Sequence, residues 1–487
     1  MENWSLLFDF IAKWYFIPIA ILHIAVILTV LFENRNPEKA IAWVMVVTFL
    51  PGVGIGLYYF FGQEFRKNKR FDQIEQKFAK DSARIWNEMK SVFSNQIDEI
   101  RKTSPELAQT FQYLVNTKNS FPTSNNQVDL LINGEAKFPK LIDDIKRAQH
   151  HIHLEYYIVE EDDFGKMLMN LLVEKVEQGI EVRLLVDAFG SSTFTKRQDY
   201  YRSKGIEFEI MLPVRFHSLA NSNYRDHRKI AVIDGVIGYA GGINLSQKYS
   251  NDYANEVYWR DTSARIYGDA VKVLQVQFLL HWQLASETDF KYDKVYFPEI
   301  SQTLEHLPMT YAFSSPGKSI PYTMEVMINC IMNAKKSVKL CTPYFIPTDE
   351  FRTALFVAKS KGIEVELMLP YQGDSYVVQS ASMSFLKRLA ERNIKIFMYQ
   401  KGFIHAKTIS IDGQTLFVGS TNLDTRSFLI NFEFSAIMNS PELCQIHDQQ
   451  FETDKKMSKM FTIDYWENQK WYKKAFAALC RLLSPLL

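Results

Sequence analysis

The chain is poor in cysteine, with four in 487 residues: Cys330, Cys341, Cys444 and Cys480, widely spaced and without a C-x-x-C. This excludes a disulfide framework and a structural zinc site, and it suits a reducing compartment. Excess charge is lacking as well. Lys and Arg total 56 against 55 acidic residues, so the global balance names no polyanionic partner and any attraction for anions must be local. No P-loop and no H-E-x-x-H occurs, and acidic clusters near the polar motifs are thin. The expectation is therefore no nucleotide site, no metal and no cofactor. What the chain does have is apolar mass. Hydrophobic residues make up 47% and aromatics 14%, which argues against wholesale disorder and leaves room for two or three domains with real cores.

Two apolar runs stand at the N-terminus. WYFIPIAILHIAVILTVLF (14–32) is 19 residues without a formal charge, and AIAWVMVVTFLPGVGIGLYYFF (40–61) is 22. A bilayer core takes roughly 20 apolar residues per helix, so a two-helix transmembrane hairpin is expected over residues 1–63. The alternative is a pair of buried core helices. A cleaved signal peptide fits poorly, because MENWS lacks a basic region and a second apolar run follows at once. The connector ENRNPEK carries two acids and two bases, whereas EFRKNKR (64–70) carries four bases and one acid. That bias places residue 64 onward on the cytoplasmic side of the membrane. Gly52, Gly54 and Gly56 spell G-x-G-x-G inside the apolar run with no strand before them, so they read as helix packing and not as a nucleotide loop.

Residues 64–125 are rich in charge and helix formers and read as a helical juxtamembrane connector. Beyond them the pattern alternates. HIHLEYYIV (151–159) and IEVRLLVD (180–187) read as strands flanking the helix KMLMNLLVEKVEQG. SVKLCTPYFI (337–346), EFRTALFVAKSKG and IEVELMLP (363–370) repeat the order, and QGIEVRLLV rhymes with KGIEVELML. Such β-α-β alternation, found twice, predicts a duplicated α/β domain with mostly parallel sheets, repeat 1 over 126–310 and repeat 2 over 311–450. The tail, 451–487, places Tyr472, Phe476, Leu479 and Leu483 at helical spacing with Lys470, Lys473, Lys474 and Arg481 between them. It reads either as a terminal helix docked on the core or as a helix lying on a membrane surface.

One polar pattern also occurs twice. YRDHRKIAVIDGVIGYAGGINLS (224–246) holds His227, Lys229, Asp234, Gly241, Gly242 and Asn244, and IHAKTISIDGQTLFVGSTNLD (404–424) holds His405, Lys407, Asp412, Gly419, Ser420 and Asn422, at a constant offset of 178 residues. Each copy looks like a strand entering an Asp-Gly hairpin turn. Alternation puts His227 and Lys229 on one face, about 7 Å apart, while Asp234 has the opposite parity and reads as a turn or supporting residue. Glycines after the second strand would let backbone approach a ligand, and Asn244 would offer amide donors. A lone His-x-Lys is most simply a solvated strand. Two copies, each following an equivalent β-α-β region, change the weighing. Packed about a pseudo-twofold they bring two histidines to one cleft, as nucleophile and general acid/base, with lysines and asparagines to hold phosphoryl oxygens. Two-step displacement at phosphorus suits such a site.

The paired H-x-K-x4-D-x6-G-(G/S)-x-N motifs resemble those of the phospholipase D superfamily. Within it, N-R-N-P between the apolar runs, L-P-G-V-G-I-G-L-Y-Y-F-F-G in the second and R-L-L-S-P-L-L at the end are similar to bacterial cardiolipin synthases, over essentially the whole chain. The resemblance implies His227, Lys229, Asp234, His405, Lys407 and Asp412 as the catalytic set, with His227 the nucleophile and His405 the acid/base. Gly242, Asn244, Ser420 and Asn422 would bind or orient the phosphate. An acid downstream of each motif would orient the opposite histidine: Glu433 in repeat 2, and in repeat 1 Asp261, with Glu256 a competitor. The implied reaction joins two phosphatidylglycerol molecules in a lipid bilayer, giving cardiolipin and glycerol, with no nucleic acid and no metal. The sequence carries no signal for an oligomeric state.

Three other readings share these features. A hydrolytic phospholipase D or a CDP-diacylglycerol-dependent phosphatidyltransferase would use the same motifs, because the cleft walls choose the acceptor. A nuclease would want a broad basic surface with interleaved aromatics, and the chain is neutral. A non-catalytic membrane scaffold would be expected to carry a degenerate motif, and both are intact.

Overall fold

Each half of the catalytic region builds the same sheet, in the same strand order. A computed structural model describes residues 16–33, 37–62, 87, 96–212, 224–286, 288, 293–300, 302, 304–316, 320–482 and 484. The chain divides into two compact units. Of the first, the described residues are 16–33 and 37–62; the second holds every described residue from 87 onward.

The second unit is organised by one 15-stranded sheet. Its strands in chain order are β1 (Thr123–Ile132), β2 (His151–Tyr156), β3 (Glu181–Asp187), β4 (Glu207–Met211), β5 (Lys229–Ile233), β6 (Ile237–Gly241), β7 (Thr262–Gly268), β8 (His306–Ser314), β9 (Ser337–Cys341), β10 (Glu364–Pro370), β11 (Lys395–Tyr399), β12 (Thr408–Ile411), β13 (Thr415–Gly419), β14 (Glu433–Asn439) and β15 (Ser458–Met460). Read outward from the middle, one half runs β1-β7-β6-β5-β2-β3-β4 and the other β8-β14-β13-β12-β9-β10-β11, with β15 on the far edge. The halves meet where β1 pairs with β8, through a register shift between Thr123 and Asn125. This is the duplication expected from the sequence.

The expectation of mostly parallel sheets is corrected. Only β2-β3-β4 and β9-β10-β11 are parallel; the remaining neighbours pair antiparallel. The physical cause is local. Crossover helices such as Asp163–Glu177 and Asp349–Ser360 return the chain in the same direction, whereas the two motif hairpins reverse it. Asp234 and Gly235 have φ of 53° and 68°, and Asp412 and Gly413 have 58° and 64°, the left-handed pair that a two-residue hairpin requires.

Every residue of β5 is buried, so both faces of the sheet are covered. Alternation along it feeds two cores: Ala231 and Ile233 face the core of repeat 1, while Ile230 and Val232 face a core shared by both halves. That shared core also takes Ala264 and Ile266 from β7, Tyr311 and Phe313 from β8, Leu416 and Val418 from β13 and Phe434 from β14. Burying these side chains, at ~1.5–3 kcal/mol each, commits the halves to one arrangement.

In the first unit, Phe16–Glu33 and Pro37–Phe49 are helices, followed by a break at Leu50–Gly52 and a short helix Val53–Leu57. The run 40–61 is thus not one continuous helix, because Pro51 and Gly52 interrupt it. Val30, Ala40, Val47 and Tyr58 pack together, and a Cβ at Gly54 would lie 2.4 Å from the Val46 carbonyl oxygen, so this glycine serves close helix packing. Among the described residues no helix is long and apolar enough to cross a membrane. The charged segment 64–70 and half of the connector 64–125 lie outside the described residues, as do Asn34 to Asn36 in ENRNPEK.

Candidate active site

His227 enters β5 from a short parallel bridge, Asp226 with Phe432, and its backbone N–H donates to Phe432 O at 3.1 Å. His405 enters β12 in the same way: Phe403–Ile404 pairs in parallel with Trp259–Arg260, and the His405 N–H donates to Arg260 O at 2.7 Å. Each histidine is therefore held beside the other half's strand, one residue before that strand's acid. The acids then take the rings. His227 Nδ1 is 2.9 Å from Glu433 Oε1, and His405 Nδ1 is 2.7 Å from Asp261 Oδ2. This crossed pairing fixes Nδ1 as the donor and leaves each Nε2 with a free lone pair. Of the two acids considered for repeat 1, Asp261 is fully buried at His405, whereas Glu256 is exposed.

Lys229 Nζ and Lys407 Nζ each reach back to the carbonyl of the histidine two residues earlier, the second at 2.6 Å. The two motifs share one electrostatic neighbourhood: Lys407 acts on His227 and Lys229, and Lys229 acts on His405. Burial first, with the nearby lysines assisting, pushes His227 down to about 4 and His405 down to about 3. Burial likewise lowers Lys229 to about 7 and Lys407 to about 8. Glu433 and Asp261 stay below the usual carboxylate range; burial pushes them up, but the histidine and lysine beside each outweigh it. The site thus holds neutral rings, ionised acids and lysines poised near neutrality, an arrangement that gains from a phosphodiester anion placed between the motifs.

The other motif residues have partners within the fold. Asp234 accepts the backbone N–H groups of Gln149, His150 and His151 at 2.8, 2.8 and 3.0 Å, and Asp412 accepts those of Lys335, Lys336 and Ser337 at 2.8, 2.7 and 3.0 Å. Both carboxylates tie a hairpin to the start of the neighbouring strand, the supporting place that strand parity gave Asp234. Gly242 makes room for the acid and not for a ligand, since a Cβ there would sit 2.3 Å from Asp261 Oδ1. In the second copy Ser420 stands in its place, and its hydroxyl helps to hold Glu433 ionised. Asn244 has its amide engaged, donating to Tyr249 Oη at 2.6 Å and accepting from Ile158 N at 3.1 Å. Asn422 differs, because its Oδ1 is buried without a hydrogen-bond partner.

Between His227 and Lys229 stands Arg228, where the second copy has Ala406. Arg228 is fully buried; its guanidinium donates to the backbone oxygens of Glu433 at 3.3 Å and Ser314 at 2.8 Å, and meets His281, which in turn holds Glu155 at 2.7 Å. It therefore braces the strand that carries Glu433. The aromatic walls were not legible in the sequence: Tyr157 meets His227 edge-on at 4.9 Å, while Trp259, Tyr249 and Phe403 surround His405 at 5.6, 5.8 and 5.9 Å. No periodicity marks them, because they come from loops and short bridges.

Comparison with known proteins agrees with this geometry. A family profile described as "Cardiolipin synthase, PLD-like domain" matches residues 141–282 and 327–455, and one described as "Phospholipase D-nuclease N-terminal" matches 21–63. A cardiolipin synthase of Oceanobacillus iheyensis is 34% identical over 96% of this chain and 98% of its own length. The major cardiolipin synthase of Bacillus subtilis is 32% identical over the same shares. Among solved structures, phosphatidylserine synthase of Haemophilus influenzae superposes with a TM-score of 0.61 at 16% identity, covering 78% of this chain and all of its own, which is a likeness of fold. With two motif sets brought to one cleft, and relatives matched from end to end, the chain belongs to the cardiolipin synthase family of phospholipase D-like proteins.

Proposed function

We propose that the protein is a phosphatidyltransferase that makes cardiolipin from two phosphatidylglycerol molecules through a phosphohistidine. The observation that carries the mechanism is the crossed pairing, which gives two neutral rings with Nε2 free and two lysines beside them. In the first step His227 Nε2 attacks phosphorus, the bond to the glycerol oxygen breaks, and His405 delivers a proton to that oxygen so that glycerol leaves. In the second, His405 takes the proton from the hydroxyl of another phosphatidylglycerol. That oxygen forms the new bond to phosphorus and the His227–phosphorus bond breaks. Lys229, Lys407 and the Asn422 amide balance the phosphoryl charge at each stage. Burial and the nearby lysines keep His405 neutral, so the bound phosphodiester must offset those lysines and raise its proton affinity before the first step.

The acceptor brings a second phosphate that does not react. Arg225, two residues before His227, and Arg426 both act electrostatically on Tyr157, whose ring touches His227. Two guanidiniums at that end of the cleft suit a phosphate carried by the acceptor, which favours a lipid acceptor over water.

The reaction is tested by product analysis. Purified protein in phosphatidylglycerol vesicles should release cardiolipin and glycerol in equal amounts, in EDTA and without CTP or CDP-diacylglycerol, and added glycerol should drive the reaction backwards. Phosphatidic acid as the main product would identify a phospholipase, and an absolute need for CDP-diacylglycerol the other synthase class.

For location, the reading is an N-terminal hairpin inserted in the plasma membrane with the catalytic unit on the cytoplasmic side. The outward apolar side chains of Ile21, Leu22, Ile24, Leu28, Ile41 and Met45 support it. With native cysteines replaced, a cysteine at Asn36 should react with an impermeant thiol reagent outside intact cells and one at Asn68 should not. The reverse pattern would place the catalytic unit on the other side.

A further inference from the structure

The helix Trp471–Leu482 is turned inside out for a helix that merely closes a core. Its inward side is small: Ala477 and Cys480 are 3% and 2% exposed, and Phe476 stacks on Tyr376 of the neighbouring helix Tyr376–Glu391 at 5.3 Å between ring centroids. At about 100° per residue, Trp471, Tyr472, Ala475, Ala478, Leu479 and Leu482 fall together on the opposite side. They leave the large apolar groups outside. Trp471 is 79% exposed, Leu482 72%, Leu479 59% and Tyr472 49%. This outer arc contains no charge; Lys470, Lys474 and Arg481 stand along one edge of it, with Lys474 ion-paired to Glu467 at 3.0 Å, while Lys473 falls on the docked side. Tyr376, also exposed, extends the patch from the adjoining helix.

We propose that this face is a second membrane contact, which seats the catalytic unit on the surface of an anionic phospholipid bilayer. Tryptophan and tyrosine beside leucines, rimmed by lysines, is the composition of a helix lying at a lipid–water interface. Negative headgroups complement the rim. The seat is connected to the chemistry. Tyr376 opens its helix two residues after Asp374, Asp374 accepts from the Tyr344 hydroxyl at 2.5 Å, Tyr344 packs on Phe403 at 6.5 Å, and Phe403 borders His405 at 5.9 Å. This path of contacts links the helix to the His405 side of the cleft. The inference rests on the phospholipid substrate proposed above, and the two are separable by experiment.

The triple variant Trp471→Ser/Leu479→Ser/Leu482→Ser leaves Phe476, Ala477 and Cys480 docked. It should keep turnover of dissolved dibutanoyl phosphatidylglycerol within about twofold and lose about tenfold in kcat/KM on long-chain phosphatidylglycerol vesicles. Lys470→Glu/Arg481→Glu should lose activity on the same vesicles, with the loss shrinking as salt is added. Unchanged vesicle activity would mean that protein covers the face, either a second copy or residues of this chain outside those described. Equal loss on both substrates would make the helix a brace. Hydroxyl-radical oxidation of Trp471 and Tyr472 in nanodiscs judges the contact apart from the reaction: protection on phosphatidylglycerol relative to phosphatidylcholine is expected, and equal oxidation would overturn it. Native protein that makes no cardiolipin from either substrate would sink the functional reading, while the footprint still decides the helix.

Discussion

At the residue scale, the two histidines are equivalent in geometry and must differ in task. Both donate from Nδ1 to a buried carboxylate of the other half, so the acid fixes the tautomer and the free Nε2 does the chemistry. Replacing either histidine by alanine should cost at least ~10³-fold in turnover while the protein stays folded. Brief exposure to labelled donor should trap label on protein only where His227 is present; label kept by His227→Ala and lost in His405→Ala would exchange the roles. Asp261→Asn should resemble a histidine variant, at about 10³–10⁴-fold, because an amide supports the wrong tautomer. Glu256→Gln should stay within about twofold, as exposed positions usually do.

The lysines set the pH dependence. Burial lowers Lys229 to about 7 and Lys407 to about 8, so each is charged below those values and loses its proton as pH rises through them. The rings are neutral over that range, their values being lowered to about 4 and 3. Loss of lysine charge removes the hold on the phosphoryl oxygens, so kcat/KM should fall between about 7 and 8. Lys229→Arg and Lys407→Arg, whose guanidiniums remain charged, should lower the rate but move that limb to higher pH. A limb unmoved in both variants would assign the titration to another group.

At the scale of elements, what was legible in the sequence is what is decided locally. The Asp-Gly turns, the β-α-β crossovers and the duplication follow from spacing and turn chemistry, and the strands 151–156 and 364–370 form where apolar alternation placed them. The acid of repeat 1 was legible only through the family resemblance, as Asp261 with Glu256 beside it. Glu433 follows Asn422 by 11 residues and Asp261 follows Asn244 by 17, because SQKYSNDYANEVYW makes a longer loop in the first copy. Strand pairing restores the match: Gly241 faces Ser263 and Gly419 faces Ser435, which puts Asp261 and Glu433 each two residues before the paired serine. Register is a long-range property, and residue counting along one chain does not carry it. The parallel-sheet expectation failed for a related reason, since it weighed the crossovers and overlooked that each hairpin adds antiparallel neighbours. For Asn244 and Gly242 the motif spacing located the position, but the tertiary contacts decided the task.

At the scale of the whole catalytic unit, one chain supplies everything the site contains. The shared core takes side chains from both halves, and each histidine is aligned by a bridge to the other half's strand, Asp226 with Phe432 and Ile404 with Arg260. Neither half holds a complete site: repeat 1 has His227 without Glu433, and repeat 2 has His405 without Asp261. The crossed arrangement is intramolecular, so it makes a prediction about mixtures. His227→Ala and His405→Ala, purified separately and reconstituted together at equal amounts into one set of vesicles, should give no more activity than the sum of the two alone. Each mutant chain closes its own defective cleft, and exchange would require prising apart a core of many buried side chains at ~1.5–3 kcal/mol each. Co-expression should give the same result, because the halves are tied together within each chain as it folds. Activity recovered on mixing, rising with the fraction of mixed pairs, would mean that the cleft forms between two chains, with the bridges at Phe432 and Arg260 made across a dimer.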